Sequence, residues 1–150
     1  MEDSIEKTYA YYLLGNTWSG IRKIEHEKNI TKIWSLEQEK LFKEIYYFRK
    51  AILQTDFENL DLSIQLGIYV NLGNVFSYYG RTVNAIKYFD KAIDLKIKHK
   101  NVVKHPNYFM AIINKGFSLE KYSELDYDKG HKEFFIKFAY KNFKEAIPIR

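Results

Sequence analysis

Four histidines and a run of lysines are the side chains whose types and spacing first raise the question of chemistry. His26 lies in Arg22-Lys23-Ile24-Glu25-His26-Glu27, a charged stretch expected to face water. His99 and His105 fall in a basic connection with Lys96, Lys98, Lys100 and Lys104. His131 follows Asp128 by three residues, a helical spacing that brings one imidazole and one carboxylate to the same face. Two donors fall short of the three protein ligands that zinc requires, so neither a metal nor a cofactor is expected. The chain contains no nucleophile elbow, Walker loop, zinc-protease helix or calcium loop. Gly15, Gly73, Gly116 and Gly130 stand singly within helical patterns and read as packing residues, not phosphate cradles. No catalytic residue is assigned, and the chain is not expected to be an enzyme.

The bulk properties narrow the remaining classes. The chain has 150 residues, enough for one domain or a short repeat array with a core. Hydrophobic residues make up 46% and charged residues 29%, values of a folded chain and not of a disordered one. With no cysteine there is no disulfide or thiolate site, which fits a reducing compartment. The start, MEDSIEKTYAYYLLG, is acidic where a signal peptide is basic, and no apolar run approaches the roughly 18 residues of a membrane span. The expectation is a soluble, cytoplasmic protein without membrane contact. A net charge of +5 gives a second reading, nucleic-acid binding through the basic connection at 96–105.

The elements that must position these residues are helices, and they repeat. In YVNLGNVFSYYGRTVNAIKYFDKAIDL (69–95), Tyr69, Leu72, Gly73 and Phe76 lie on one face, and Ala85, Phe89 and Ala92 lie on a second. Tyr79-Gly80-Arg81-Thr82 separates the two, with Gly80 suited to the left-handed end of one helix and Thr82 to capping the next. Small residues let the two helices approach while the rings fill the space beside them. The first half recurs at 11–19, placing Leu14, Gly15, Asn16, Trp18 and Ser19 over Leu72, Gly73, Asn74, Phe76 and Ser77. It recurs again at 108–122 with Gly116 and Phe117. The second half recurs as YFRKAI (47–52), with Phe48 and Ala51, and as AYKNFKEAI (139–147), with Ala139, Phe143 and Ala146.

Three helical hairpins, roughly 5–53, 61–99 and 106–147, are thus expected to form one all-α domain over 1–150. Gly15 and Phe48 lie 33 residues apart and Gly116 and Phe143 27, against 16 for Gly73 and Phe89. The outer hairpins therefore carry insertions of about 17 and about 11 residues, which longer helices or turns must absorb. Ser35 with Gln38 forms a capping box for a fresh helix, and Pro106 suits the first turn of another. Glu44 stands where alanine is expected, and Lys115 replaces the leucine before the third glycine.

The pattern resembles the tetratricopeptide repeat (TPR) family. Tyr69, Leu72, Gly73, Phe76, Ala85, Phe89 and Ala92 match its signature in its own spacing, with Ile97 where the family usually has proline. The resemblance implies a right-handed superhelix of about three hairpins, the outer ones irregular, acting as a protein- or peptide-binding adaptor. In the family, ligand-facing positions lie three before and one, four and five after the signature glycine. Carried over, these are Tyr12, Asn16, Ser19 and Gly20; Val70, Asn74, Ser77 and Tyr78; and Ile113, Phe117, Glu120 and Lys121, with Asn114 one step away. An asparagine amide both donates and accepts, so Asn16 and Asn74 suit the backbone of an extended peptide.

More distantly, residues 69–146 resemble the TPR segment of bacterial proteins that carry a HEPN ribonuclease domain. Such a nuclease has arginine followed by histidine after four to six residues. Here Arg22 and His26 have only three between them, so the resemblance implies the regulatory, sensing or docking half of an RNA-targeting, toxin or phage-defence system, without the nuclease. The C-terminal helix spreads Phe134, Phe135, Ile136, Phe138, Ala139, Tyr140, Phe143, Ala146 and Ile147 over more than one face. It is expected to pack on a second copy or a partner domain.

Overall fold

The computed structural model describes the backbone of residues 4–27, 34–125 and 129–146, and the side chains of 4–24, 42–123, 133–134 and 136–145. Six α-helices follow one another: α1 (Ile5–Glu27), α2 (Trp34–Leu53), α3 (Leu62–Tyr78), α4 (Thr82–Lys98), α5 (Pro106–Leu125) and α6 (Lys129–Ala146). Short 3-10 turns at Phe57–Asn59 and Lys100–Lys104 complete the order, and no strand occurs among the described residues. The chain is all-helical. It divides into two compact units, Met1–Ile68 and Tyr69–Arg150, with the boundary inside α3.

In the first unit α1 packs against α2. The insertion in this hairpin goes partly into helix length, since α1 has 23 residues and α2 20, against 17 each for α3 and α4. The Ser4 hydroxyl accepts from Lys7 N–H at 3.2 Å and so caps α1. Gln65, buried at the start of α3, donates to the carbonyls of Leu60 (2.8 Å) and Glu58 (3.2 Å) and ties down the turn that precedes it. The side chains of Ser35 and Gln38, proposed as a capping box, lie outside those described.

In the second unit α4 packs on α5 and α5 on α6. The turn between α3 and α4 is built on Gly80, at φ 77°. Arg81 N–H donates to Phe76 O (2.9 Å) and Gly80 N–H to Ser77 O (3.0 Å), which closes the helix with the paired bonds of a Schellman motif. Thr82 does not cap α4. It is the buried first residue of that helix, and Arg81 occupies the cap position without a side-chain bond. The two bonds that end α3 shorten the turn, so the helix restarts one residue before Thr82 could cap it. Pro106 opens α5, and His105 Nδ1 accepts from Asn107 N–H at 3.0 Å in the cap position.

Candidate functional site

Each hairpin seats one glycine against one phenylalanine ring. A Cβ at Gly15 would lie 2.5 Å from Phe48 Cδ1, one at Gly116 would lie 2.7 Å from Phe143 Cε1, and one at Gly73 would run into Phe89. These ring edges occupy the space that any larger residue needs, so the helices of each pair meet at backbone distance. Phe48, Ala51, Leu72, Phe76, Ala85, Phe89, Ala92 and Ala139 are buried around these seats, and Trp18 and Phe143 are half-buried. Phe76 stacks on Tyr88, with ring centroids 5.5 Å apart and planes 3° from parallel. Leu14 differs from its equivalent Leu72, being 42% exposed where Leu72 is fully buried. The side chain of Ala146 lies outside those described.

Two of the departures from the repeat pattern, Glu44 and Lys115, are each held in an ion pair. Glu44, fully buried, accepts from Arg22 Nε at 2.8 Å and from an Arg22 terminal nitrogen at 3.2 Å. Lys115 Nζ lies 2.7 Å from Asp90 Oδ1, which links α5 to α4. The expectation that the stretch around Arg22 faces water holds for Lys23 and Ile24, which are exposed, and needs correction at Arg22, whose side chain is largely buried on its acid partner. The sequence signal for these pairs was a charge where the pattern asks for alanine or leucine. Beside the first pair, desolvation and then the Arg22 charge hold the Lys23 ammonium below the ordinary lysine range, with Glu44 opposing.

Of the residues placed on the proposed groove, Asn74 and Asn114 are brought together. Asn114 Nδ2 donates to Asn74 Oδ1 at 2.9 Å, which joins α5 to α3. Ser77, Tyr78 and Ile113 are half-buried nearby in sequence, and Phe117, Glu120 and Lys121 are exposed one and two turns along α5 from Asn114. The Phe117 ring meets the Phe143 ring edge-on at 4.9 Å. In the first unit Asn16 is exposed, and Tyr12 and Gly20 are half-buried. Ser19 and Val70 are buried, and the Ser19 hydroxyl has no hydrogen-bond partner among the described residues. Their helical register turns both inward, away from any ligand.

His99 is exposed, whereas the side chains of His26, Asp128 and His131 lie outside those described. Among the described residues no group of three or more His, Cys, Asp or Glu stands close enough to hold a metal, and no helix is long and apolar enough to cross a membrane. Comparison with protein-family models, curated proteins and solved structures gives no match. The functional reading is therefore carried by geometry.

Proposed function

We propose that this chain is a TPR-type module that holds a peptide segment of a partner protein and performs no catalysis. The glycine–phenylalanine seat repeated in three hairpins supports the repeat reading. The stacking of such hairpins into a right-handed superhelix is part of the proposal. The observation that carries the binding reading is the Asn114–Asn74 bond. It fixes two amides side by side on neighbouring first-type helices and uses one donor of Asn114 and one lone pair of Asn74. The Asn74 NH2 and the Asn114 carbonyl have no other partner among the described residues. One donor and one acceptor side by side match the C=O and N–H of an extended backbone. Phe117, Tyr78 and Lys121 flank the pair along α3 and α5, ready to touch side chains of the bound segment.

A peptide array probed with the full chain tests this. Asn74→Ala with Asn114→Ala should reduce captured peptide by about tenfold without altering which sequences are preferred, as expected for contacts to backbone. Undiminished capture by the double variant rejects the groove.

A second reading is favoured by one observation: Lys96, Lys98, His99, Lys100 and Lys104 are all exposed around the α4–α5 connection. Nucleic acid bound there would show affinity that falls steeply with salt, and replacing the four lysines with glutamine would flatten that dependence.

A further inference from the structure

The face of α2 turned away from α1 carries a groove of about 530 Å³ that the repeat architecture does not require. Phe42, Tyr46, Arg49 and Leu53 follow one another at helical spacing along it, and Phe42, Tyr46 and Leu53 are 63%, 52% and 75% exposed. The chain supplies its own control for this face. With each helix aligned on its glycine-contacting phenylalanine (Phe48, Phe89, Phe143), the equivalents of Phe42 and Tyr46 are Val83 and Lys87 in α4, and Lys137 and Lys141 in α6. Leu53 corresponds to Asp94 in α4. The same exposed positions are thus mostly charged elsewhere in the chain, and only in α2 do they combine two aromatic rings with a leucine.

The rim of the groove has one sign. Arg49 and Lys50 carry the charge of this rim; Lys43 also lines the groove but sets its ammonium over the Trp18 ring of α1, 4.5 Å from the centroid, and no carboxylate lines it among the described residues. The described acid of α2, Glu44, lies on the opposite face in the grip of Arg22. Lys50 sits over the Tyr46 ring at 5.5 Å, which holds its charge at the edge of the apolar strip.

We infer that this face of α2 is a docking site for an amphipathic helix of a partner protein, one whose apolar stripe is flanked by Asp or Glu. An apolar strip with a cationic rim is complementary to apolar residues between carboxylates. A second copy seated on this face would show instead as a dimer mass in light scattering, and that result would overturn the inference. An extended segment is disfavoured, because its backbone groups would face apolar side chains without partners, whereas a helix satisfies its own. The strip from Phe42 to Leu53 spans about 16 Å, or three helical turns, which suits a short helix lying along it. An anionic membrane shares the charge preference but needs a flat face rather than a groove. This inference is independent of the Asn74–Asn114 groove and involves none of its residues.

The test uses the full chain and a fluorescein-labelled synthetic helix with leucines on one face and glutamates at its margins. A counterpart with lysines at the margins and vesicles of phosphatidylcholine with phosphatidylserine serve as comparisons. Anisotropy should show saturable binding of the glutamate helix, about tenfold or more tighter than the lysine helix. Tyr46→Lys with Leu53→Asp, which copies what α4 carries at those positions, should weaken it at least about tenfold. Arg49→Glu alone should reduce the preference for glutamate over lysine. An unchanged circular dichroism melting curve controls for folding, as all three positions are exposed. Equal binding of the two helices, no binding of either, insensitivity to the substitutions, or binding of the vesicles in place of the glutamate helix would each overturn the inference.

Discussion

Arg22 holds the fully buried carboxylate of Glu44 with two hydrogen bonds, at 2.8 and 3.2 Å, across the first helical hairpin. In the other two hairpins the equivalents of Glu44 are Ala85 and Ala139, so a salt bridge stands where the repeat pattern has a methyl group. An ion pair in such a place adds little net stability compared with an apolar contact, but breaking it is costly. Arg22→Met should therefore destabilise the fold by about 3–5 kcal/mol, because the acid is left buried and unpaired. Arg22→Met with Glu44→Ala should recover most of that loss. Urea denaturation of the two variants measures the difference, and similar losses for both would show that the pair is not coupled.

The glycines separate into two groups of opposite expected sign. At Gly73 the Phe89 ring fills the space of a Cβ, so Gly73→Val should cost about 1–3 kcal/mol through overpacking. At Gly20, within α1, nothing lies within 4 Å of a Cβ, and Gly20→Ala should stabilise by up to about 1 kcal/mol through reduced backbone freedom in the unfolded chain. Thermal melts of the two variants should move in opposite directions.

For Asn74 and Asn114 the prediction concerns the balance between stability and binding. The bond between them is half-buried, so Asn114→Ala should cost only about 1 kcal/mol in denaturation. A much larger loss of stability, with peptide capture unchanged, would make the pair a structural bond between α3 and α5 and nothing more.

Lys23 gives the fold a pH dependence of definite sign. Its ammonium is held below the ordinary lysine range when folded, so the folded state carries a cost for keeping it charged. That cost is present in full below the depressed pKa, fades as pH rises through it, and is gone above the ordinary range near 10.4. Stability should accordingly rise slightly on moving towards alkaline pH, and Lys23→Gln should remove that component. Denaturant midpoints for the two proteins across this range provide the comparison.

Phe134, Ile136, Phe138 and Tyr140 are all exposed on α6. If the face that carries Ile136 and Tyr140 packs on a second copy, Ile136→Glu with Tyr140→Lys should convert a concentration-dependent mass in light scattering to that of a monomer. A single 18.0 kDa species for the unsubstituted chain at all concentrations would argue against self-association.

The helical hairpins were legible because their determinants are local. The periodicity of Leu72, Gly73 and Phe76, and of Ala85, Phe89 and Ala92, follows from backbone geometry alone, as does the left-handed Gly80. Recurrence of the two half-patterns also matched Gly15 with Phe48 in spite of the longer interval between them, since only a small residue admits the ring edge at the crossing. The odd residues were less readable. Glu44 and Lys115 registered in sequence as mismatches, because neither Arg22 nor Asp90 is adjacent in the chain and helix packing alone brought the charges together.

Amino-acid order by itself determined the all-helical class, the hairpin pairings and the first-type helices that carry the asparagines, because each follows from short-range periodicity and side-chain size. Only the tertiary structure decided that Asn74 meets Asn114, that Ser19 and Val70 turn inward, and that Phe42, Tyr46 and Leu53 remain uncovered on α2. The physical reason is that burial and long-range contact depend on how helices rotate against one another. Small changes in that rotation exchange a buried face for an exposed one without altering the sequence pattern.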